Sequence, residues 1–295
     1  MMREGRVLRS YSGYYYVSCE GKLYTCKVRG AMKKNRFSLC TGDLVRFETE
    51  GDGDKGMITE VLPRKNHLVR PTVANLDLLV LTMALVNPDF SPLILDKLLV
   101  LAEHAGVPVL IVLTKADLAE EGMAEALKKR YEAVGYPVCI VSARTGLGIE
   151  ELKERLSGKI TALGGPSGVG KSTTLNAVQP GVLRHTGEVS AKIGRGRHTT
   201  RYAELVPFNG GYLADTPGFG NVSMETVPEE DLASCFPEFA AYADSCRFHP
   251  CSHTHEPSCE VKAALDRGEI DSERYLSYTT ILQEIKEEKA RNNYR

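Results

Sequence analysis

The octapeptide from Gly165 to Ser172, G-P-S-G-V-G-K-S, limits the possible fold more than any other stretch of this 295-residue chain. It matches the pattern G-x-x-x-x-G-K-[ST] in full and follows the apolar run Ile160-Thr-Ala-Leu163. Its glycines let successive backbone N–H groups turn inward around phosphate oxygens, where side chains would crowd them. Such a loop works between the end of a buried strand and the positive N-terminus of a helix, here starting near Lys171. An α/β layer is therefore predicted. Lys171 is expected on the β- and γ-phosphates and the Ser172 hydroxyl on Mg²⁺. Gly165, Pro166, Ser167, Gly168, Val169, Gly170 and Thr173 complete the cradle. The expected ligand is a nucleoside triphosphate.

The segments upstream have the matching pattern. Residues 76–82 and 107–114 are near-continuous apolar runs, as buried parallel strands are, and 137–141 reads as a third strand. Ser91-Pro92 opens a helix with Leu95, Leu98, Leu99 and Ala102 on one face, and further helices are predicted over 119–134 and 149–156. The second strand runs into Thr114-Lys-Ala-Asp117 and the third into Ser142-Ala-Arg144. A carboxylate at Asp117 can accept two hydrogen bonds from guanine, at N1–H and the exocyclic amine, whereas adenine offers no such pair. Lys115 can lie along the base plane, flanked by Thr114 and Ala116. The backbone N–H groups of Ser142 and Ala143 can meet the guanine carbonyl. Guanine is expected, not adenine.

Downstream, Tyr212-Leu-Ala-Asp-Thr-Pro-Gly218 ends another apolar strand in D-T-P-G. Asp215 is expected to hold Mg²⁺ through water, and the Gly218 amide to meet the γ-phosphate. Residues 194–201, G-R-G-R-H-T-T-R, have the basic, glycine-broken composition expected of a switch, with Thr199 or Thr200 completing the Mg²⁺ shell. Phe219 follows Gly218, where many GTPases place a water-orienting Gln. An apolar ring cannot orient water, so intrinsic hydrolysis is expected to be slow. His198 is the candidate catalytic group, orienting or deprotonating the attacking water; contact with RNA is the alternative role.

The flanks differ from this centre. Residues 5–8, 14–19, 23–29, 43–48 and 57–62 are short strand-like runs separated by turn residues, which suggests a small barrel of the OB type. Residues 1–70 carry 14 Lys and Arg against 8 Asp and Glu, while the remainder carries 23 against 30. That asymmetry, with Lys33, Lys34, Arg36, Phe37 and the run Tyr14-Tyr15-Tyr16, points to RNA as partner of the first module. Residues 63–66 read as a linker. Beyond Gly218, helices are expected over 228–244, with Pro237 as a kink, and over 261–267 and 272–295. Between them stand Cys246, Cys251 and Cys259 with His249, His253 and His255. Three thiolates and an imidazole suit a closed, structural zinc site, and clustering argues for metal over disulfides. No run approaches the roughly 18 apolar residues of a membrane span. The N-terminus lacks the apolar core of a signal peptide, so the cytoplasm is the expected compartment.

The order of motifs is unusual. GTPases commonly run phosphate loop, switch threonine, D-x-x-G, N/T-K-x-D, S-A-x; this chain places T-K-A-D and S-A-R first, then G-P-S-G-V-G-K-S, G-R-H-T-T and D-T-P-G. It resembles the circularly permuted GTPases. With a barrel before and a Cys/His cluster after, the whole chain looks like the RsgA (YjeQ/YloQ) family of small-ribosomal-subunit-dependent GTPases. The resemblance implies three domains, an OB barrel at 1–68, a permuted GTPase domain at 69–220 and a zinc-binding helical domain at 221–295. It implies rRNA of the small ribosomal subunit as partner, late subunit maturation as role and subunit-stimulated hydrolysis; a monomer is expected. It favours His253 as the imidazole ligand beside Cys246, Cys251 and Cys259. Arg201 stands where many members extend the threonine run, which leaves Thr199 and Thr200 both open. The rival classes are a GTP-gated RNA-binding module and a large-subunit assembly factor. Because D-T-P-G leads directly into the last domain, movement there is expected to be felt in that domain with little slack.

Overall fold

Alternating burial along the first strands gives each one inward-facing apolar side, and their pairing closes into a barrel. In the computed structural model, which describes residues 1–29, 39–49, 53–69, 72–182, 203–215 and 223–293, five strands form it. They are β1 (Met2–Tyr11), β2 (Tyr14–Cys19), β3 (Lys22–Val28), β4 (Leu44–Thr49) and β5 (Lys55–Val61), joined in the order β1-β2-β3-β5-β4. Val7, Val17, Tyr24, Cys26, Val45, Phe47 and Ile58 point inward as its core. Ser12-Gly13 and Glu20-Gly21 take left-handed conformations at both residues, the turn geometry that suits two-residue hairpins. The OB barrel expected from sequence is present, with β1 longer than the pattern implied. Residues 33–37 lie outside the described residues.

The stretch read as a linker is tied down. Arg64 grips the buried Asp43 carboxylate through two bonds, at 2.6 and 2.8 Å. The Asn66 side chain exchanges hydrogen bonds with the Leu76 backbone. A small pair, β6 (His67–Leu68) with β7 (Val73–Ala74), completes the joint. Beside this joint, where Thr41 O accepts from the Ala74 N–H, Thr41 Oγ1 donates to the Ala203 carbonyl at 2.6 Å, and Arg9 pairs with Glu204 at 3.0 Å.

The second layer is a six-stranded sheet. β8 (Leu78–Ala84), β9 (Val109–Thr114), β10 (Val138–Ile140), β11 (Ile160–Gly164), β12 (Glu204–Phe208) and β13 (Gly211–Asp215) lie in the order β10-β9-β8-β11-β13-β12. All pairings are parallel except β12 with β13. β12 was not anticipated. The dipeptide Asn209-Gly210, left-handed at both residues, makes it a hairpin with β13. Helices cover both faces. α1 (Pro92–His104) begins where the Ser91 hydroxyl accepts from the Ile94 N–H, and Pro92 fits the first turn, where its missing N–H costs nothing. α1 and α2 (Met123–Ala133) pack on one face; α3 (Ile149–Leu156) and α4 (Lys171–Val178) cover the other. The doubly wound α/β arrangement follows as expected.

The last part departs from expectation at one point. The helix expected over 228–244 is instead a series of short 3₁₀ turns ending in one α-turn, α5 (Ala240–Ala243). Pro237 lacks an N–H and forces Phe236 into an extended conformation, so no continuous helix can pass. The gain is that Phe236 and Phe239 stack against each other and meet Tyr278 edge to face, forming the second core. α6 (Glu260–Asp266) and α7 (Ser272–Asn293) follow.

What fastens this part to the sheet is a buried charge cluster. Arg274 of α7, 1 % exposed, bonds to Asp96 of α1 at 2.6 Å and to both oxygens of Glu238, with its guanidinium 4.7 Å from the Phe236 ring centre. Tyr131 of α2 donates to the same Asp96 oxygen. Burial pushes the Asp96 carboxyl above its usual range, with Arg274 opposing that push. Arg274→Met removes the opposition and strands two acids in a low-dielectric interface. Loss of about 3–5 kcal/mol of stability is expected near neutral pH. In the variant the folded state holds protons that the unfolded chain releases, so its stability falls as pH rises and the deficit shrinks on acidification. Denaturant unfolding of both proteins at neutral and mildly acidic pH measures this; an equal deficit at both would contradict it.

Candidate functional site

Because β8, β9, β10, β11 and β13 run parallel, their C-terminal ends meet at one edge. That edge is where open α/β sheets bind ligands. The phosphate loop leaves β11 at Gly165 with a φ of 131°, and a Cβ there would lie 2.1 Å from the Thr82 carbonyl oxygen of β8. Only glycine allows both the conformation and the approach. The loop then passes Pro166, exposed Ser167 and Gly168, and buried Val169, and enters α4 through left-handed Gly170. Lys171 Nζ folds over the loop's own carbonyls, 2.7 Å from Gly165 O and 2.5 Å from Pro166 O. Partial burial lowers its pKa from the ordinary lysine value. Ser172 and Thr173 are exposed on the first turn of α4.

The base loop is bound to the phosphate loop rather than merely near it. Thr114 Oγ1, at the end of β9, donates to Val169 O at 2.5 Å. Lys115 donates to Gly168 O at 2.9 Å and also reaches the Asn87 carbonyl in the turn that follows β8. Its backbone is left-handed, with a φ of 58°, a conformation a non-glycine residue holds only under constraint. The turn Ala116–Leu118 follows and places Asp117, whose Oδ1 accepts from Ser142 Oγ at 2.6 Å. Oδ2 accepts from Arg144 Nε at 2.7 Å. The Ser142 bond first, then Arg144, holds the Asp117 carboxylate below its ordinary range. Ala143 lies between these two on the same loop.

Thus Thr114, Lys115, Asp117, Ser142 and Ala143 share an edge with Gly165 through Thr173. The Asp215 backbone ends β13, two strands from β9's neighbour β8. His198, Thr199, Thr200 and Gly218 lie outside the described residues. Reading the sequence missed Arg144 on Asp117 and the Asn87 carbonyl under Lys115. Asn87-Pro88 is a turn signal at a strand end and could have flagged the second.

A second cluster lies in the last part of the chain. One ligand atom each from Cys246, Cys251, His253 and Cys259 falls within 4.8 Å of every other. His253 Nδ1 is 3.6 Å from Cys246 Sγ and 3.5 Å from Cys259 Sγ, and the two sulfurs are 3.9 Å apart. A tetrahedral ion with Zn–S and Zn–N bonds of normal length requires about 3.8 Å between sulfurs and about 3.6 Å from sulfur to nitrogen. The group could hold a metal ion, and neither His249 nor His255 belongs to it. Burial pushes the Cys251 thiol up to about 12 and the Cys259 thiol in the same direction, so a cation is what would make thiolates tenable here. Around it, Tyr275 and Tyr278 donate to the carbonyls of His253 and Ser252, both at 2.7 Å. Glu256 receives the N–H groups of Ser252 and Thr254; against the effect of burial, these bonds keep its carboxylate down to about 2.

Comparison with known proteins gives this geometry its setting. The family model described as RsgA GTPase matches residues 61–225, and the RsgA N-terminal domain matches 4–58. The chain belongs to the RsgA GTPase family. A small ribosomal subunit biogenesis GTPase RsgA of Shouchella clausii is 41 % identical over 293 residues, covering 98 % of this chain and all of that protein. A Listeria monocytogenes relative carrying the same description, RsgA 2, is 42 % identical over the same span. Among solved structures, YjeQ from Thermotoga maritima superposes with a TM-score of 0.84 at 38 % identity, covering 97 % of this chain and 99 % of that one. YloQ, described as a circularly permuted GTPase, gives 0.81 at 34 %, covering 98 % and 96 %. RsgA-family membership makes the chain a permuted GTPase.

The metal cluster carries its own test. Cys251→Ala is expected to abolish stoichiometric bound metal and to lower the melting temperature of the purified protein. Elemental analysis with thermal unfolding reads both; retained metal at one per chain would remove Cys251 from the ligand set.

Proposed function

We propose that this RsgA-family chain hydrolyses GTP to GDP and phosphate while assisting late maturation of the small ribosomal subunit. It binds that subunit through rRNA, is stimulated by it and is released on hydrolysis. The observation that carries the nucleotide half is the direct bonding of Thr114 and Lys115 to the phosphate loop. It sets the base-reading carboxylate of Asp117 at a fixed distance from the phosphate cradle. The subunit half rests on relatives, described as small-subunit biogenesis GTPases, that this chain matches from end to end.

In this reading Asp117 and the Ser142–Ala143 backbone recognise guanine, and the loop from Gly165 to Thr173, with the Gly218 amide, holds the phosphates. Mg²⁺ supplies charge neutralisation at the phosphate oxygens; Ser172, Asp215 and Thr199 or Thr200 are its proposed ligands, and the exposure of Ser172 on the first turn of α4 suits that role. His198 orients the attacking water. Zn²⁺ is the proposed ion for Cys246, Cys251, His253 and Cys259, because three thiols and an imidazole suit it and the spacings among Cys246, Cys259 and His253 match its bond lengths, and its role is to staple the small second core. The barrel, within residues 1–68, is the proposed rRNA-binding domain. In its support, Tyr11 and Tyr14 are exposed, and Lys27 sits 5.0 Å from the Tyr14 ring centre. The GTPase domain, 69–220, and the zinc domain, 221–295, complete the proposed division. No helix among the described residues is long and apolar enough to cross a membrane. We place the protein in the cytoplasm as a monomer.

The deciding measurement is GTP hydrolysis by the full chain alone, with isolated small subunits and with isolated large subunits. Strong stimulation by small subunits only is expected. No stimulation, or stimulation by large subunits, would overturn the subunit assignment. His198→Ala is expected to keep GTP affinity and to cut subunit-stimulated turnover by about 10²-fold or more, the usual scale of a lost proton-transfer group. Unchanged stimulated turnover would remove His198 from the mechanism.

A further inference from the structure

The carboxylate assigned to base reading is already engaged. Asp117 spends one oxygen on Ser142, whose hydroxyl sits behind it in the fold, and the other on Arg144. The two partners are unlike. Ser142 is buried and itself held in the turn, where the Thr145 N–H reaches its hydroxyl. Arg144 reaches in from outside: its side chain is 74 % exposed, whereas that of Asp117 is 11 % exposed. One contact, at 2.7 Å through Nε, closes the solvent side of a carboxylate that is otherwise mostly covered.

Guanine addresses a carboxylate with two N–H donors in one plane. A guanidinium is also a planar fork of N–H donors, matched to the same acceptor. A residue donating to Oδ2 from the open side therefore uses the lone pairs that the base would use. We propose that Arg144 is an intramolecular stand-in for guanine: its guanidinium holds the open oxygen of Asp117 and must be displaced when the base docks. Arg144 is thus an affinity-setting residue of the GTP site. The inference rests on the base-reading role of Asp117 given above.

The magnitude follows from exposure. An ion pair this accessible to solvent competes only weakly, so its removal strengthens nucleotide binding by about two- to fivefold. Because salt screens exposed pairs, the advantage of the variant shrinks as ionic strength rises. A residue that instead packed on the bound base would give the opposite sign.

The test is equilibrium binding of fluorescently labelled GDP to the full chain and to its Arg144→Ala variant, at low and high ionic strength. Tighter binding by the variant at low salt, converging with the parent at high salt, is expected. Equal or weaker binding by the variant at low salt overturns the proposal. Asp117→Asn, measured with GDP and xanthosine diphosphate, examines the base reading separately, since xanthine carries a carbonyl where guanine carries its amine. A switch to xanthine upholds Asp117 as the base reader whatever Arg144 does. Retained preference for GDP would overturn both the base reading and the stand-in built on it.

Discussion

The parallel pairing of β11 with β8 on one side and β13 on the other is the constraint on which this structure turns. Leu163 stands beside Val80 and Ala162 beside Ala214, so β11 and β13 end almost level, while β8 runs three residues past Leu81, the partner of Gly164, to Ala84. From that one edge of the sheet the phosphate loop leaves β11, the segment leading to Asn87 leaves β8, and D-T-P-G begins at the end of β13. Proximity of the motifs is thus set by strand order across the sheet and not by order along the chain. This is why a permuted sequence builds the same site. The covalent route between the loops is rearranged, while the hydrogen bonds from Thr114 and Lys115 to Val169 and Gly168 supply a short route through space.

The parts legible in the sequence were those where one residue type has few physical substitutes. Glycines at 165, 168 and 170, Lys171, and the T-K-A-D tetrapeptide announce themselves because backbone approach, charge and a paired acceptor leave little choice. Continuous apolar runs marked the parallel strands for the same reason, since both faces are covered. Phe236 and Phe239 misled: their spacing fits a helical face, but Pro237 between them bars the helix, and the same apolar rings pack from 3₁₀ turns. The β12–β13 hairpin is readable in Asn209-Gly210, and Pro207 is tolerated because β12 is an edge strand. Arg144 was illegible. Nothing in S-A-R distinguishes a solvated arginine from one turned back onto a carboxylate twenty-seven residues earlier.

The way the last domain is held differs from what chain continuity alone suggests. D-T-P-G leads into it covalently, yet its firm attachment is to α1 and α2, through Arg274 on Asp96, Arg130 on Asp271 and Lys97 on Glu284. Of these helices α1 packs on β8 and α2 on β10. The metal cluster and its aromatic surround are therefore tied to the half of the sheet that leads into Thr114–Asp117 and Ser142–Arg144.

The barrel takes hold of the opposite edge. Thr41 grips the carbonyl of Ala203 and Arg9 grips Glu204, just where the chain begins β12 after the stretch containing His198, Thr199 and Thr200. Arg9 also lies 4.4 Å from the Tyr16 ring centre on the barrel wall. One arginine thus belongs at once to the barrel wall and to the anchor that holds the start of β12. A moored strand of this kind ties the barrel to the edge of the sheet beside β13 independently of the covalent joint at 63–66. If a ligand that draws Arg9 away alters nucleotide affinity, thermodynamic reciprocity requires the nucleotide to alter that ligand's affinity by the same factor.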